Sequence, residues 1–398
     1  MGGALLQVVA TGQQDVYLTT NPEITFFKVV YRRHTNFAIE SIEQTFSGTP
    51  DFGRRATCNI SRNGDLIHKV YLQVDLPTLT VNSGATVSWV GQVGHALIDE
   101  VEVEIGGQKI DKHYGDWLAI WNELTQTAEK SAGYDKMIGN TTTFVPTSPG
   151  VSVPGGTLYI PLQFWFNRNP GLALPLIALQ YHEVKLNILF KPASSLYVLG
   201  GTAPVIVGTP QIGNASFYAD YIYLDNEERK QFAQVQHEYL IEQLQYTGSD
   251  TIAATSFKSK LSFNHPCKEL VWVVQRDANI ASKNYFDYSN GSGANQMVDA
   301  KLLLNGHERF TVRKADYFNL VQPYDFHTSV PSVGIYVYSF ALKPEEHQPS
   351  GSLNMSRIDN AAFQFTLSTN DSSKLRVYAV NYNILRITSG MGGLAYSS

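Results

Sequence analysis

The sequence predicts an all-β fold: two tandem eight-stranded jelly rolls with short helices and long loops. Three observations carry this. Short runs of alternating apolar and polar residues recur along the chain, separated by turn signals such as NGD, NSG, NGSG and QPSG. Helical periodicity is confined to a few brief stretches. Several strand-like runs also occur twice, in the same order and at one spacing.

IEQTFSG starts at Ile42 and IEQLQYTG at Ile241, 199 residues later. KVYLQVD from Lys69 answers KELVWVV from Lys268, and Gly107 in EIGGQKI answers Gly306 in LLNGHER, both again 199 apart. GDW at Gly115 resembles ADY at Ala315, 200 apart. After a longer insertion in the first half, VKLNI at Val184 parallels FQFTL at Phe363, and FYADYIYLD at Phe217 parallels VYAVNYNIL at Val377. The openings are alike too. NPEITFFKVV offers Asn21 as a helix cap and Pro22 at the first helical position. DNEERKQFAQ offers Asp225 or Asn226 as cap with acids in the first turn. A third helix is expected over YGDWLAIWNELTQTAEK. The expected organisation is an arm over 1–24, a first jelly roll over 25–224 and a second over 225–398. An immunoglobulin-type sandwich does not fit, because its Cys–Trp–Cys spacing is absent.

Composition agrees with β structure: 16% charged residues, with 31 Gly, 22 Tyr and 20 Phe in 398 residues. A net charge of −5 argues against direct nucleic-acid binding. Cys58 and Cys267 fit neither a disulfide framework nor a zinc spacing and are read as free thiols in a reducing compartment. No run approaches the length of a membrane span. MGGALLQ lacks a signal-peptide core, and Leu6 breaks the myristoylation pattern. The chain is expected to fold in the cytosol without an anchor.

Catalytic patterns are missing. The pairs His182–Glu183, His237–Glu238 and His307–Glu308 do not extend to HExxH, and no His-x-His occurs. Gly390, Gly392 and Ala395 have GxGxxA spacing, but too little chain follows for a phosphate-binding helix, so a terminal turn is expected. Asp99, Glu100, Glu102 and Glu104 alternate across a strand, the first opposite the other three, as on a solvated edge or interface face. No catalytic, cofactor-binding or metal-binding residue is assigned, and a non-enzyme is expected. Of six N-x-S/T sequons, Asn140 and Asn290 are the loop positions where sugar would first be sought. Phe26, Phe27, Tyr31, Arg32 and Arg33 form an apolar-basic segment ahead of the first sandwich. It is read as a cover for the sandwich base, or as an arm toward neighbouring subunits or an anionic membrane.

The run ATGQQDVYLTTNPEITFFKVVYRRHTNFAIESIEQTF, Ala10 to Phe46, closely resembles the N-terminus of major capsid proteins of nucleocytoplasmic large DNA viruses, those infecting algae above all. The resemblance continues through SRNGDLI at Ser61, EIGGQKIDKHYGDW at Glu104 and NPGLALPLIALQYHEVKL at Asn169, then HEYLIEQLQYTG at His237, FNHPCKELVW at Phe263, QPSGSLNMSRIDNA at Gln348 and NYNILRITSGMGGLAYSS at Asn381. It implies a double jelly roll whose homotrimers form pseudo-hexagonal capsomers tiling an icosahedral shell in the virion, assembled in host cytoplasm. The implied partners are copies of the chain, neighbouring capsomers, minor capsid proteins and the inner viral membrane surface, with attached glycans. The segment 274–300 is short for an algal-virus member, which leaves a paralogous minor capsid protein at special positions as an alternative. A carbohydrate-binding or adhesion jelly roll is the alternative from another class, and a jelly-roll hydrolase is disfavoured by the missing constellation.

Overall fold

Alternation along the chain becomes strands with one buried face. The computed structural model describes residues 2–27 and 32–396, and contacts divide the chain into 1–37 and 38–398. The first unit holds two seven-residue helices, α1 (Gly3–Val9) and α2 (Gln13–Thr19), neither burying any residue. The helix expected from Asn21 does not start there. Asn21 lies at φ +52°, where a cap residue should be extended. Ile24, Phe26 and Phe27 are bulky residues of modest helix propensity, and each is more than nine-tenths exposed, so no buried face supports a helix.

In the second unit the first half forms β1 (Phe37–Thr45), β2 (Arg55–Asn59), β3 (Leu66–Leu76), β4 (Ile98–Ile105), β5 (Gln108–Tyr114), β6 (Gly156–Pro161), β7 (Val184–Phe190) and β8 (Ala215–Leu224). One sheet runs β1–β8–β3–β6 and the other β2–β7–β4–β5. The second half forms β9 (His237–Ile252), β10 (Ser256–Leu261), β11 (Pro266–Arg276), β12 (Met297–Leu304), β13 (His307–Glu308), β14 (Ile335–Ser339), β15 (Ala361–Leu367) and β16 (Ser373–Thr388). Its sheets run β9–β16–β11–β14 and β10–β15–β12–β13, the first half's order with every label raised by eight. Val70, Leu72 and Val74 face one core, and Leu270, Trp272 and Val274 face the other.

The duplication extends to turn chemistry. The β4–β5 turn has Gly106 and Gly107 at φ +57° and +84°, and the β12–β13 turn has Asn305 and Gly306 at +50° and +85°. Two successive positive φ values mark the hairpin turn whose twist matches the strands, hence Gly and Asn. The lysine correspondence needs correction. A bulge between Cys267 and Glu269 shifts the register, so Leu270 takes the inward place of Val70, an offset of 200. Lys69 is exposed whereas Lys268 is fully buried.

The two halves are joined by α3 (Gly115–Thr125). Its stripe Trp117, Ile120, Trp121 and Leu124 has the i, i+3, i+4, i+7 spacing of a helix face and packs on the outer face of the second half's β9–β16–β11–β14 sheet. There it meets Val271, Val273, Ile335, Val337, Tyr378 and Val380. Leu118 points back into the first core. Gly115 is required at the helix start, because a Cβ would lie 2.2 Å from the His95 carbonyl oxygen. The expected long helix breaks after Thr125 and resumes as α4 (Ala128–Met137). Ser329 of the second half donates to the Gln126 carbonyl at the break, and its backbone N–H donates to that of Leu124.

A charged seam lies beside this joint. The Glu242 carboxylate receives the buried Lys268 ammonium on one oxygen and Arg168 at 2.8 Å on the other. Burial alone would raise its pKa, but Arg168 and Lys268 outweigh that and bring it down to about 2. His327, its side chain fully buried, lies 2.8 Å from Glu269 and 2.9 Å from Glu345. Burial opposes its charge, yet the two carboxylates raise its pKa to about 9.

Two outcomes follow from this joint. Replacing Trp121 by Ala removes a buried indole from it and is expected to cost about 3–5 kcal/mol in denaturant unfolding; a cost below about 1 kcal/mol would refute the joint's importance. The folded protein holds the His327 proton more tightly than the unfolded chain. That contribution is therefore complete below the ordinary value of 6.5 and is lost as pH rises to about 9. Stability is expected to fall by roughly 3 kcal/mol across that window, and H327Q should abolish this slope. An identical slope in H327Q would assign the effect elsewhere. At the acid end, the Glu242 contribution is complete above the ordinary value of 4.5 and is lost toward pH 2.

Candidate assembly surfaces

The carboxylates of β4 are the densest set of acids on the first half. Glu100, Glu102 and Glu104 share the outer face opposite buried Val101, Val103 and Ile105. Asp99, expected opposite the other three, is instead exposed where a bulge between the partners of Ile98 and Glu100 breaks the alternation. Arg55 reaches Glu100 and Glu102, Lys112 reaches Glu100, and Lys109 lies 3.3 Å from Glu102. Asn187 donates to Glu102 and Glu104 at 3.2 Å. Burial would raise Glu102, but Lys109 and Arg55 hold it below the usual carboxylate range. β4 is an inner strand between β7 and β5, so this is a cross-strand ion-pair ladder rather than a sheet edge.

The other sequence candidates are separate from one another. His182 accepts from the Gly392 N–H at 3.1 Å, His237 donates to the Phe232 carbonyl at 2.7 Å, and His307 is exposed. Among the described residues no group of three or more His, Cys, Asp or Glu is placed to hold a metal. Cys58 and Cys267 are both buried free thiols. Gly390 and Gly392 belong to a hairpin in which Met391–Leu394 pairs with β16. Asn140 is exposed and its amide donates to Asp135, whereas Asn290 is half-buried and accepts from the N–H groups of Ser292 and Ala294.

Of the five arm residues, Phe26 and Phe27 are 95% and 93% exposed, their rings edge-to-face at 5.1 Å. Arg32 and Arg33 are exposed, and Tyr31 lies outside the described residues. The helices α1 and α2 add exposed Leu6, Val8, Val16, Tyr17 and Leu18. Among the described residues no helix is long and apolar enough to cross a membrane.

Two further surfaces escaped the reading of the sequence. A π-helical turn, Tyr317–Val321, runs into the helix Gln322–Phe326 and leaves Leu320, Val321 and Tyr324 exposed. On the first half, the outer face of the β1–β8–β3–β6 sheet carries Tyr71 stacked on Tyr218 at 5.3 Å, with Tyr159 at 6.2 Å from Tyr71. A hollow of about 560 Å³ opens there, lined also by Met137 and Pro161. These surfaces present apolar and aromatic groups without convergent chemistry, as protein interfaces do.

Comparison with known proteins gives these surfaces their context. Residues 25–225 match the family described as major capsid protein N-terminus, and residues 228–393 match large eukaryotic DNA virus major capsid protein. The major capsid protein of Pyramimonas orientalis virus is 53% identical and that of Phaeocystis pouchetii virus 46% identical, each over the whole of both chains. Those alignments span 421 and 520 positions, more than the 398 residues present, so the relatives carry insertions. The solved chain described as the PBCV-1 virus capsid, quasi-atomic model, is 38% identical with a TM-score of 0.81, covering 94% of this chain and 100% of that one. With matching sheets in both halves and family matches spanning both, the chain belongs to the double jelly-roll major capsid proteins of large eukaryotic DNA viruses.

Proposed function

We propose that this capsid protein forms homotrimeric, pseudo-hexagonal capsomers that tile an icosahedral shell, with an arm at 1–24 and jelly rolls at 25–224 and 225–398. The observation that carries this is the repeated strand order: two like sandwiches per chain give six like bodies in a ring of three. One lattice contact can then recur around the tile. The role is structural, not catalytic, and assembly takes place in host cytoplasm. The arm, with Phe26, Phe27, Tyr31, Arg32 and Arg33, contacts neighbouring subunits, minor capsid proteins or the inner membrane surface. Its exposed apolar helices and adjacent arginines support that reading. Asn140, open on the surface, is the better placed of the two candidate glycan sites.

Light scattering on the purified chain is expected to give three times 44.2 kDa, and a stable monomer would sink the trimeric reading. Deleting residues 1–25 should leave the oligomer intact and impair shell formation; shells of unchanged yield from the truncated protein would refute the arm's role.

A further inference from the structure

Because one fold is repeated, a surface used in one half has a counterpart in the other. The counterpart of α3 is the segment 317–326, entered through Asp316 as α3 is entered through Asp116. At the offset of 200, the docked stripe Trp117, Ile120, Trp121 and Leu124 becomes Tyr317, Leu320, Val321 and Tyr324. The inward anchors correspond too, Leu118 in the first core and Phe318 in the second, 1% and 0% exposed. The stripes differ in cover. Trp117, Ile120, Trp121 and Leu124 are buried, whereas Leu320, Val321 and Tyr324 are 48%, 44% and 79% exposed and Tyr317 is half-buried, packed partly against its own core.

The seat is duplicated as well. Val271 pairs with Tyr378 and with Val337 under α3, and in the first half Tyr71 pairs with Tyr218 and with Pro161. The first-half seat is the open hollow beside Tyr71 and Tyr159. Each chain thus carries one completed helix-on-sheet joint, one bare stripe and one bare seat. The seat carries Lys69 and Asp220, and the stripe segment carries Asp316 and Asp325 behind exposed Arg313 and Lys314, so each face offers charges of both signs around its apolar centre. One detail is not repeated. Asp116 pairs with Arg376, whereas Asp316 accepts from Asn295 of its own half at 2.8 Å.

We infer that the segment 317–326 of one chain docks on the outer face of the first jelly roll of a second copy, repeating between chains the joint that α3 makes within one. This deepens the trimeric reading and rests on it. The contact is heterologous, stripe to seat, and three copies close it into a ring of six alternating joints. Chemistry fits the division of labour. The seat within the chain is largely aliphatic and always covered. The seat between chains is tyrosine-rich, with hydroxyls that keep it wetted until a partner arrives.

The test uses the full chain. V321E and Y71E alter half-exposed positions, so each is expected to fold with an unchanged circular dichroism spectrum and to lose trimer at least tenfold at equal concentration. The pair Y317C and Y218C, counterparts of Trp117 and Tyr378 whose rings lie 5.3 Å apart, should give a dimer-and-trimer ladder with a short bismaleimide. The native thiols are buried and leave little background. A wild-type trimer that persists in both charge variants and yields no ladder overturns this inference alone. Dissociation of only one charge variant overturns the stripe-to-seat pairing. A monomeric wild type overturns the trimer reading beneath it.

Discussion

The packing of α3 on the outer face of the second sandwich is the contact on which the rest depends. A sheet in a two-layer sandwich ordinarily has one dry face and one wet one. Here β11 and β14 are buried on both faces, because Trp117, Ile120, Trp121 and Leu124 lie over the side that would otherwise meet water. The two jelly rolls therefore share a third core in addition to their own. With Ile241, Leu385 and Ile387 of the second half also buried in the first core, residues 38–398 form a single body despite containing two sandwiches.

The charged seam makes that joint directional. Apolar surfaces tolerate sliding, but a buried ammonium does not tolerate losing its carboxylate. Lys268 and Glu242 come from the second half and Arg168 from the first, so the pairing is complete only in one relative placement of the sandwiches. Arg168 also stacks over the Trp121 ring at 5.0 Å, tying the charges to the helix. Desolvating three ionic groups costs stability, and the return is a fixed angle between two bodies that must act as neighbouring sides of one tile.

Much of this was legible in the letters. The repeat from Ile42 and Ile241, the Gly107 and Gly306 turns and the helix capped at Asp225 all correspond to observed elements. What failed did so for physical reasons. The helix expected at Asn21 rested on capping rules alone, in a segment whose Ile24, Phe26 and Phe27 remain exposed. The lysine match looked sound because letters align without regard to facing, and one bulge shifted the register, leaving Lys268 buried in the charged seam. The assembly surfaces were missed although a signal was present. KVYLQVD alternates strictly, as a strand wetted on one side must, whereas ELVWVV does not. That difference between two copies of one strand marks which outer face is covered within the chain.

The order of the joint's parts along the chain has a consequence for synthesis. The last strand of the first jelly roll ends at Leu224, and the indoles of Trp117 and Trp121 have been made by then. Their seat includes Tyr378 and Val380, which leave the ribosome more than 150 residues later, on the order of ten to thirty seconds at ordinary elongation rates. For that interval the apolar stripe of the helix has no seat to cover it, at the moment when sister chains are being made nearby. Completion of the second sandwich ends that vulnerability by covering the helix from within its own chain.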